Sequence, residues 1–183
     1  DEQRLSKSPA MFDRQKLAWV NNQYMKKVDV KTLAEMCRPH LVEARRLPET
    51  LSAEQETWLE KLVSLYQEQM SYAQEIVALS DLFFVKHPTL NDEGKAILGE
   101  ENAQIVVNAF KEKLTQMTEV DNASVLAAIK ACQKETGIKG KNLWMPIRVA
   151  TTGQTHGPGL GEAIELLGKE KTLAHIEETL KQK

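Results

Sequence analysis

Ser52-Ala53-Glu54-Gln55-Glu56-Thr57-Trp58-Leu59-Glu60-Lys61-Leu62-Val63-Ser64-Leu65-Tyr66 decides the fold class. The first four residues read as a capping box: the Ser hydroxyl accepts from a backbone N–H three residues on, and the Gln side chain there reaches back. Leu59, Leu62, Val63 and Tyr66 then recur at helical spacing as one apolar stripe. Outward from this segment the same period persists. Asp29 opens a helix carrying Leu33, Met36 and Cys37, and Pro39 restarts it toward Leu41 and Val42, since proline is best tolerated in a first turn. Further upstream, Asp13 can cap a helix in which Phe12 staples onto Leu17, with Trp19, Val20 and Tyr24 following on. Downstream, a fourth helix runs from about Ser71, with Tyr72, Ile76, Leu79 and Phe83 at helical spacing. These stripes are read as core and given no chemistry.

Gly94 is the first glycine of nine, and strand-like alternation is nearly absent. His87-Pro88-Thr89-Leu90-Asn91-Asp92 breaks the pattern and marks a boundary between two helical subdomains, residues 1–88 and 89–183. Beyond it, Ile105, Val106, Ala109, Phe110 and Leu114 make one amphipathic helix. Asp121 or Asn122 caps another, with Val125, Ile129 and Cys132 inward and Gly137 as its stop. A shorter helix covers Asn142 to Ala150, bent at Pro146. Pro158 then stands at a first helical position, and Gly168 separates that helix from a last one bearing Leu173, Ile176 and Leu180. The chain reads as all-α, two consecutive helical subdomains packed end to end.

A length of 183 residues fits one domain or two small ones and allows a real core. Cys37 and Cys132 are isolated, so neither a disulfide framework nor a zinc site is indicated, which fits a reducing cytoplasm. No run of 18 apolar residues suggests a membrane span, and no signal peptide is read. Because the first residue is Asp1 rather than Met, the chain reads as a piece of something longer.

Between Glu135 and Glu162 no acid occurs, although 26 of 183 residues are Asp or Glu. Lys139, Lys141, Arg148 and His156 stand there instead, around Gly153-Gln154-Thr155-His156-Gly157-Pro158-Gly159. An acid-free, basic, Gly-rich bend in a chain of formal charge −2 suggests a local surface for something negative, with nucleic-acid backbones the commonest such partner. A solvated loop between two helices is the other reading. The net charge argues against a nonspecific nucleic-acid coat.

No constellation supports catalysis. His40, His87, His156 and His175 lie on different elements, and no Ser or Cys has the setting of an activated nucleophile. Gly157-Pro158-Gly159-Leu160-Gly161 follows a helix and lacks the strand that a phosphate-binding turn needs. Ser6-Lys7-Ser8 resembles the lysine loop of class I aminoacyl-tRNA synthetases. Leu5 precedes it and no Rossmann sequence stands upstream, so it is read as a disordered or capping segment.

Two stretches carry a family resemblance over the whole chain. Phe12-Asp13-Arg14-Gln15-Lys16-Leu17-Ala18-Trp19-Val20-Asn21-Asn22-Gln23-Tyr24 resembles the helix after the stem-contact region of bacterial glutamyl-tRNA synthetases. Met145-Pro146-Ile147-Arg148-Val149-Ala150-Thr151-Thr152-Gly153, then Gly157-Pro158-Gly159-Leu160, then Leu166-Leu167-Gly168-Lys169-Glu170, resembles the anticodon-binding end of the same family. The resemblance implies a C-terminal, anticodon-binding helical bundle of a cytoplasmic, monomeric glutamate–tRNA ligase. It implies a tRNA-Glu partner, no DNA and no membrane. ATP and Mg belong to a Rossmann domain with HIGH and KMSKS signatures that these residues lack, so no cofactor and no catalytic activity are expected of this chain alone.

In that family the arginine of the P-x-R-x-A stretch reaches anticodon nucleotides, and Arg148 occupies its place; a salt bridge within the bundle is the alternative. The resemblance makes Thr152, Gln154, Thr155, His156, Gly157, Pro158 and Leu160 the turn beside the anticodon bases, with His156 either touching RNA or merely solvated. Unpaired bases are read by edge hydrogen bonds and stacking, and a Gly/Pro turn brings backbone groups close. One departure stands out. Relatives that accept only tRNA-Glu often carry an arginine in the helix before the Phe-Phe pair, and counting back from Phe83-Phe84 places Gln69 there. Glutamine lacks the charged fork, so tRNA-Gln becomes a second expected partner. Two other classes remain open. A helical protein–protein scaffold would bind no tRNA, and an unrecognised enzyme would be active without the missing half.

Overall fold

The capping box at Ser52 closes in both directions: Ser52 Oγ accepts from the Gln55 amide at 3.2 Å, and the Ser52 amide donates to Gln55 Oε1 at 2.9 Å. The computed structural model describes residues 9–183, with side chains from Asp13 onward. Its α-helices are α1 (Pro9–Lys27), α2 (Val30–Glu43), α3 (Ala53–Tyr66), α4 (Ile76–Leu79), α5 (Asp92–Gly99), α6 (Glu101–Gln116), α7 (Asn122–Thr136), α8 (Lys141–Thr152), α9 (Leu160–Leu167) and α10 (Lys169–Leu180). Short 3₁₀ turns lie at Gln67–Gln69, Ala73–Glu75 and Asp81–Phe83. No strand occurs among the described residues, as the all-α reading expects, and none of their helices is long and apolar enough to cross a membrane. The chain divides into two units, Asp1–Asp81 and Leu82–Lys183.

In the first unit α2 packs on α3 around Leu33, Cys37, Leu41, Leu59, Leu62 and Val63. Pro39 does not restart α2, which runs through it unbroken. The proline forfeits one backbone bond, but Cys37 and Leu41 on either side are fully buried and hold the helix in register. The upstream stripe is also corrected. Leu17, Trp19, Val20 and Tyr24 are between 45% and 64% exposed. Helix α1 is docked through amides instead: Asn22 Nδ2 donates to Glu68 O at 3.0 Å and Met70 O at 2.9 Å, while Gln67 Nε2 donates to Met25 O and Val28 O. That docking turns Asn22 and Met25 inward and leaves Leu17, Val20 and Tyr24 facing away. Asp13 lies inside α1 rather than at its cap, whereas the Phe12 staple and Ser6-Lys7-Ser8 fall outside the described residues.

The expected helix from Ser71 is broken into shorter pieces. The Glu75 carboxylate accepts from the amides of Ser71 and Tyr72 at 2.9 and 2.8 Å, which winds the chain into a 3₁₀ turn before α4 begins. Tyr72 is consequently exposed and Ile76 buried.

In the second unit α8 packs against α5, α6, α7, α9 and α10, and Leu143, Ile147, Val149 and Ala150 on it are fully buried. Asp121 caps α7, accepting from the Ser124 amide at 2.8 Å, and Gly137 ends it in the left-handed conformation, both as expected. Gly168 separates α9 from α10, again as read. Pro158 stands two positions ahead of α9 rather than opening it. Ile105, expected inward on α6, is 47% exposed. The break at His87–Asp92 also hides a start signal, because Asn91 Oδ1 accepts from the Gly94 amide at 2.7 Å and so caps α5. The second unit begins at Leu82, ahead of the Pro88/Thr89 boundary read from sequence. Lys171, His175 and Gln182 bond the carbonyls of Phe83, Val85 and Pro88, which ties that segment to the second unit.

Candidate functional site

The last turn of α8 and the turn that follows it gather most of the residues singled out by sequence. A helix ends with carbonyls that lack partners; here α10 side chains meet those of Ala150 and Thr151, while the helix's own threonines bond back into the ladder. Thr151 Oγ1 donates to Ile147 O at 2.7 Å, and Thr152 Oγ1 donates to Arg148 O at 2.7 Å. Thr179 Oγ1 of α10 donates to Ala150 O at 2.9 Å, and His175 Nδ1 lies 2.9 Å from Thr151 O. Gly153 then leaves the helix at φ +76°, and a Cβ there would stand 2.7 Å from the Pro88 Cβ. Only glycine meets both demands.

Arg148 projects from α8 across this turn. Its Nη1 donates to Pro158 O at 2.9 Å, and a Cβ on Gly157 would lie 3.3 Å from the same nitrogen. The side chain is half-buried, and burial holds its pKa below the ordinary arginine value. No ion pair to Arg148 occurs among the described residues, so the salt-bridge alternative is not what the structure shows. Five donors are available on a guanidinium, and one of them is spent on Pro158.

The turn residues fall into two groups. Gln154, His156 and Gly157 are exposed. Thr152 and Thr155 are 3% and 7% exposed, and Pro158 and Leu160 are buried as well, Leu160 within the main core. Thr152 Oγ1 also accepts from the Gln154 amide at 3.2 Å, so its hydroxyl is committed within the turn. These four shape the turn from beneath rather than presenting side chains on it. Lys139 and Lys141 are exposed near the start of α8. Gln69 lies in the first unit, exposed, at the end of the 3₁₀ turn after α3. His175 and Thr179 were missed as site residues, because their stripe with Leu173, Ile176 and Leu180 reads simply as core. Among the described residues no group of three His, Cys, Asp or Glu is placed to hold a metal.

The model of the anticodon binding domain family matches residues 32–180. The chain belongs to that family. It is 55% identical over 98% of its length to the glutamate–tRNA ligase of Bacillus cytotoxicus, and 52% identical over its whole length to that of Geobacillus thermodenitrificans. In both cases the chain spans 37% of the relative's length. A crystal structure of the glutamate tRNA ligase from Elizabethkingia meningosepticum superposes with a TM-score of 0.78 over 90% of this chain and 31% of that one. At 18% identity that likeness shows the fold and no more.

Proposed function

We propose that this chain is the anticodon-binding end of a glutamate–tRNA ligase and that the turn from Gly153 to Gly159 receives the unpaired anticodon bases of tRNA-Glu. The observation that carries the reading is Arg148. A half-buried guanidinium with no carboxylate beside it has given up water without gaining a counter-charge. A phosphate or a base edge supplies the acceptors it lacks, with charge-assisted bonds. No acid occurs from Thr136 to Gly161, and the Glu162 carboxylate stands at the far end of the turn, beside Gly159. Gly157, exposed beside the guanidinium, leaves room for a base to come close to the backbone.

Burial of Thr152, Thr155, Pro158 and Leu160 supports the same reading, since a turn already fixed from beneath loses little entropy on binding. Glutamate activation with ATP and Mg belongs, on this reading, to a catalytic domain outside these residues, in a cytoplasmic and monomeric enzyme. Gln69 in place of arginine extends the partner set to tRNA-Gln. Gel shifts of the chain with tRNA-Glu, tRNA-Gln and an unrelated tRNA at two salt concentrations test it. Salt-sensitive binding that prefers the first two is expected; equal binding of all three, or of none, overturns it. The chain alone should show no glutamate-dependent ATP–pyrophosphate exchange.

A further inference from the structure

Helix α10 carries Lys171, His175 and Glu178 at i, i+4 and i+7, on one helical face, and Gln182 follows two residues past its end. Each meets a successive group of the segment 83–90. Lys171 Nζ donates to Phe83 O; His175 Nε2 lies 3.2 Å from Val85 O; Glu178 pairs with His87 Nδ1 at 3.3 Å. Gln182 donates to Pro88 O at 2.6 Å and accepts from the Leu90 amide at 2.9 Å. The segment is laced to α10 along its length. His175 also reaches the other way, to Thr151 O of α8, and Thr179 beside it holds Ala150 O. Both side chains are completely buried.

We infer that His175 and Thr179 are positioning residues for the turn from Gly153 to Gly159. The carbonyls they hold belong to the two residues just before Thr152, and the turn starts at Gly153 directly against Pro88. His175 therefore lies between the two walls of that junction, the end of α8 and the 83–90 segment. Arg148 stands one helical turn before this end, so a shift of the α8 terminus shifts its guanidinium relative to Pro158 and Gly157. Both atoms facing the imidazole are carbonyl oxygens, so either is held only by a donated N–H, and a neutral ring has one to give; the shorter contact, 2.9 Å from Nδ1 to Thr151 O, is the one assigned to it. Any effect on tRNA rests on the function proposed above; the effect on the turn does not.

The test uses the full chain with His175→Gln, His175→Asn and Thr179→Val, each assayed well below its melting temperature. An amide nitrogen at Asn approximates Nδ1 and retains the bond to Thr151 O, whereas Gln approximates Nε2 and gives that bond up. His175→Gln and Thr179→Val should each weaken tRNA-Glu binding about tenfold, and His175→Asn by no more than about threefold, because a displaced binding group loses affinity steeply with distance. In an Arg148→Ala background the same changes should add nothing, since they act through Arg148. Amide hydrogen exchange at Gln154, Thr155 and His156 should accelerate in His175→Gln and Thr179→Val and stay near wild type in His175→Asn. Losses that simply add to Arg148→Ala, or unchanged exchange in the turn, overturn the inference. If the wild type binds no tRNA, the functional reading has failed and the exchange measurement alone decides this one. If the His175 variants do not fold, Thr179→Val decides it.

Discussion

Arg148 Nη1 donates to the carbonyl oxygen of Pro158 at 2.9 Å, so the cation of α8 and the backbone of the turn ahead of α9 are one unit. Orientation is the consequence. A guanidinium is planar, and fixing one nitrogen restricts where the others point. Thr152, one helical turn later, bonds the Arg148 carbonyl and the Gln154 amide, closing the same arrangement from the helix side. The basic residue and the Gly-rich bend are joined in one hydrogen-bonded arrangement.

Arg148→Ala should weaken tRNA-Glu binding by about 1–3 kcal/mol, the usual loss for a charged donor to a base edge or phosphate. In a full-length ligase the change should raise the Michaelis constant for tRNA and leave those for ATP and glutamate alone. Arg148→Lys should recover little, because an ammonium cannot bond Pro158 O and still present a fork. Titration with labelled tRNA alongside far-UV circular dichroism decides it: unchanged affinity in a folded Arg148→Ala protein contradicts the assignment.

Gly153→Ala should destabilise the second unit. The backbone sits at φ +76°, and the added Cβ would fall 2.7 Å from Pro88 Cβ, so strain and clash act together. A loss of about 1–3 kcal/mol is expected from a left-handed non-glycine residue in a tight site. Gly99, in α5, makes the control, since a Cβ there meets nothing within 4 Å and its φ is ordinary. Gly99→Ala should be neutral or stabilising by up to about 1 kcal/mol. Urea midpoints of both variants provide the comparison.

What the sequence disclosed and what it hid divide along physical lines. The Ser52 and Asp121 caps and the stops at Gly137 and Gly168 were legible because each is local chemistry within one turn of helix. The outward face of α1 was not. Its apolar residues have helical spacing, but the docking is done by Asn22 and by Gln67, which lies 45 residues further along the chain. The Glu75 carboxylate that shortens the expected fourth helix is a similar case, as a side chain competing with the helix ladder leaves no mark on hydrophobic period. Within the turn, residue types marked the site. A bend has no period, so nothing in its sequence separates buried Thr152 and Thr155 from exposed Gln154 and His156.

Alkaline conditions should unfold the chain gradually. Burial pushes the Cys37 thiol up from 9.0 to about 12 and Cys132 up to about 11, while Tyr66 rises from 10.0 to about 12. In each case the folded state favours the protonated form. Their contribution is therefore complete below pH 9, where the unfolded groups also keep their protons, and is lost between pH 9 and 12 as the unfolded state ionises first. Urea stability should fall steadily from pH 9 to 11, and a Cys37→Ala, Cys132→Ala protein should fall less steeply despite a lower starting value. A parallel slope in the two proteins contradicts the thiol account. Both thiols should also resist iodoacetamide at pH 8 until urea is added.

Gln69→Arg should separate tRNA-Glu from tRNA-Gln in a full-length ligase carrying this chain. The two anticodons differ at the third base, C in one and G in the other, and the resemblance places a discriminating arginine where this chain has Gln69. The local structure favours that position over its neighbour. Gln67 has its amide occupied by Met25 O and Val28 O at 2.8 and 2.7 Å, whereas Gln69 is exposed at the end of the same turn. A neutral amide can donate or accept at either base, but an arginine fork selects by charge and geometry. That selection is worth on the order of 1–3 kcal/mol, up to about a hundredfold in specificity. The wild type should thus charge tRNA-Gln within roughly tenfold of tRNA-Glu, with Gln69→Arg widening the ratio mainly through the tRNA-Gln Michaelis constant. Gln69→Ala should leave the ratio near wild type, because a side chain that does not discriminate takes no discrimination with it. Outright refusal of tRNA-Gln by the wild type, or a Gln69→Arg enzyme with an unaltered ratio, would move the reading of the third base to another residue.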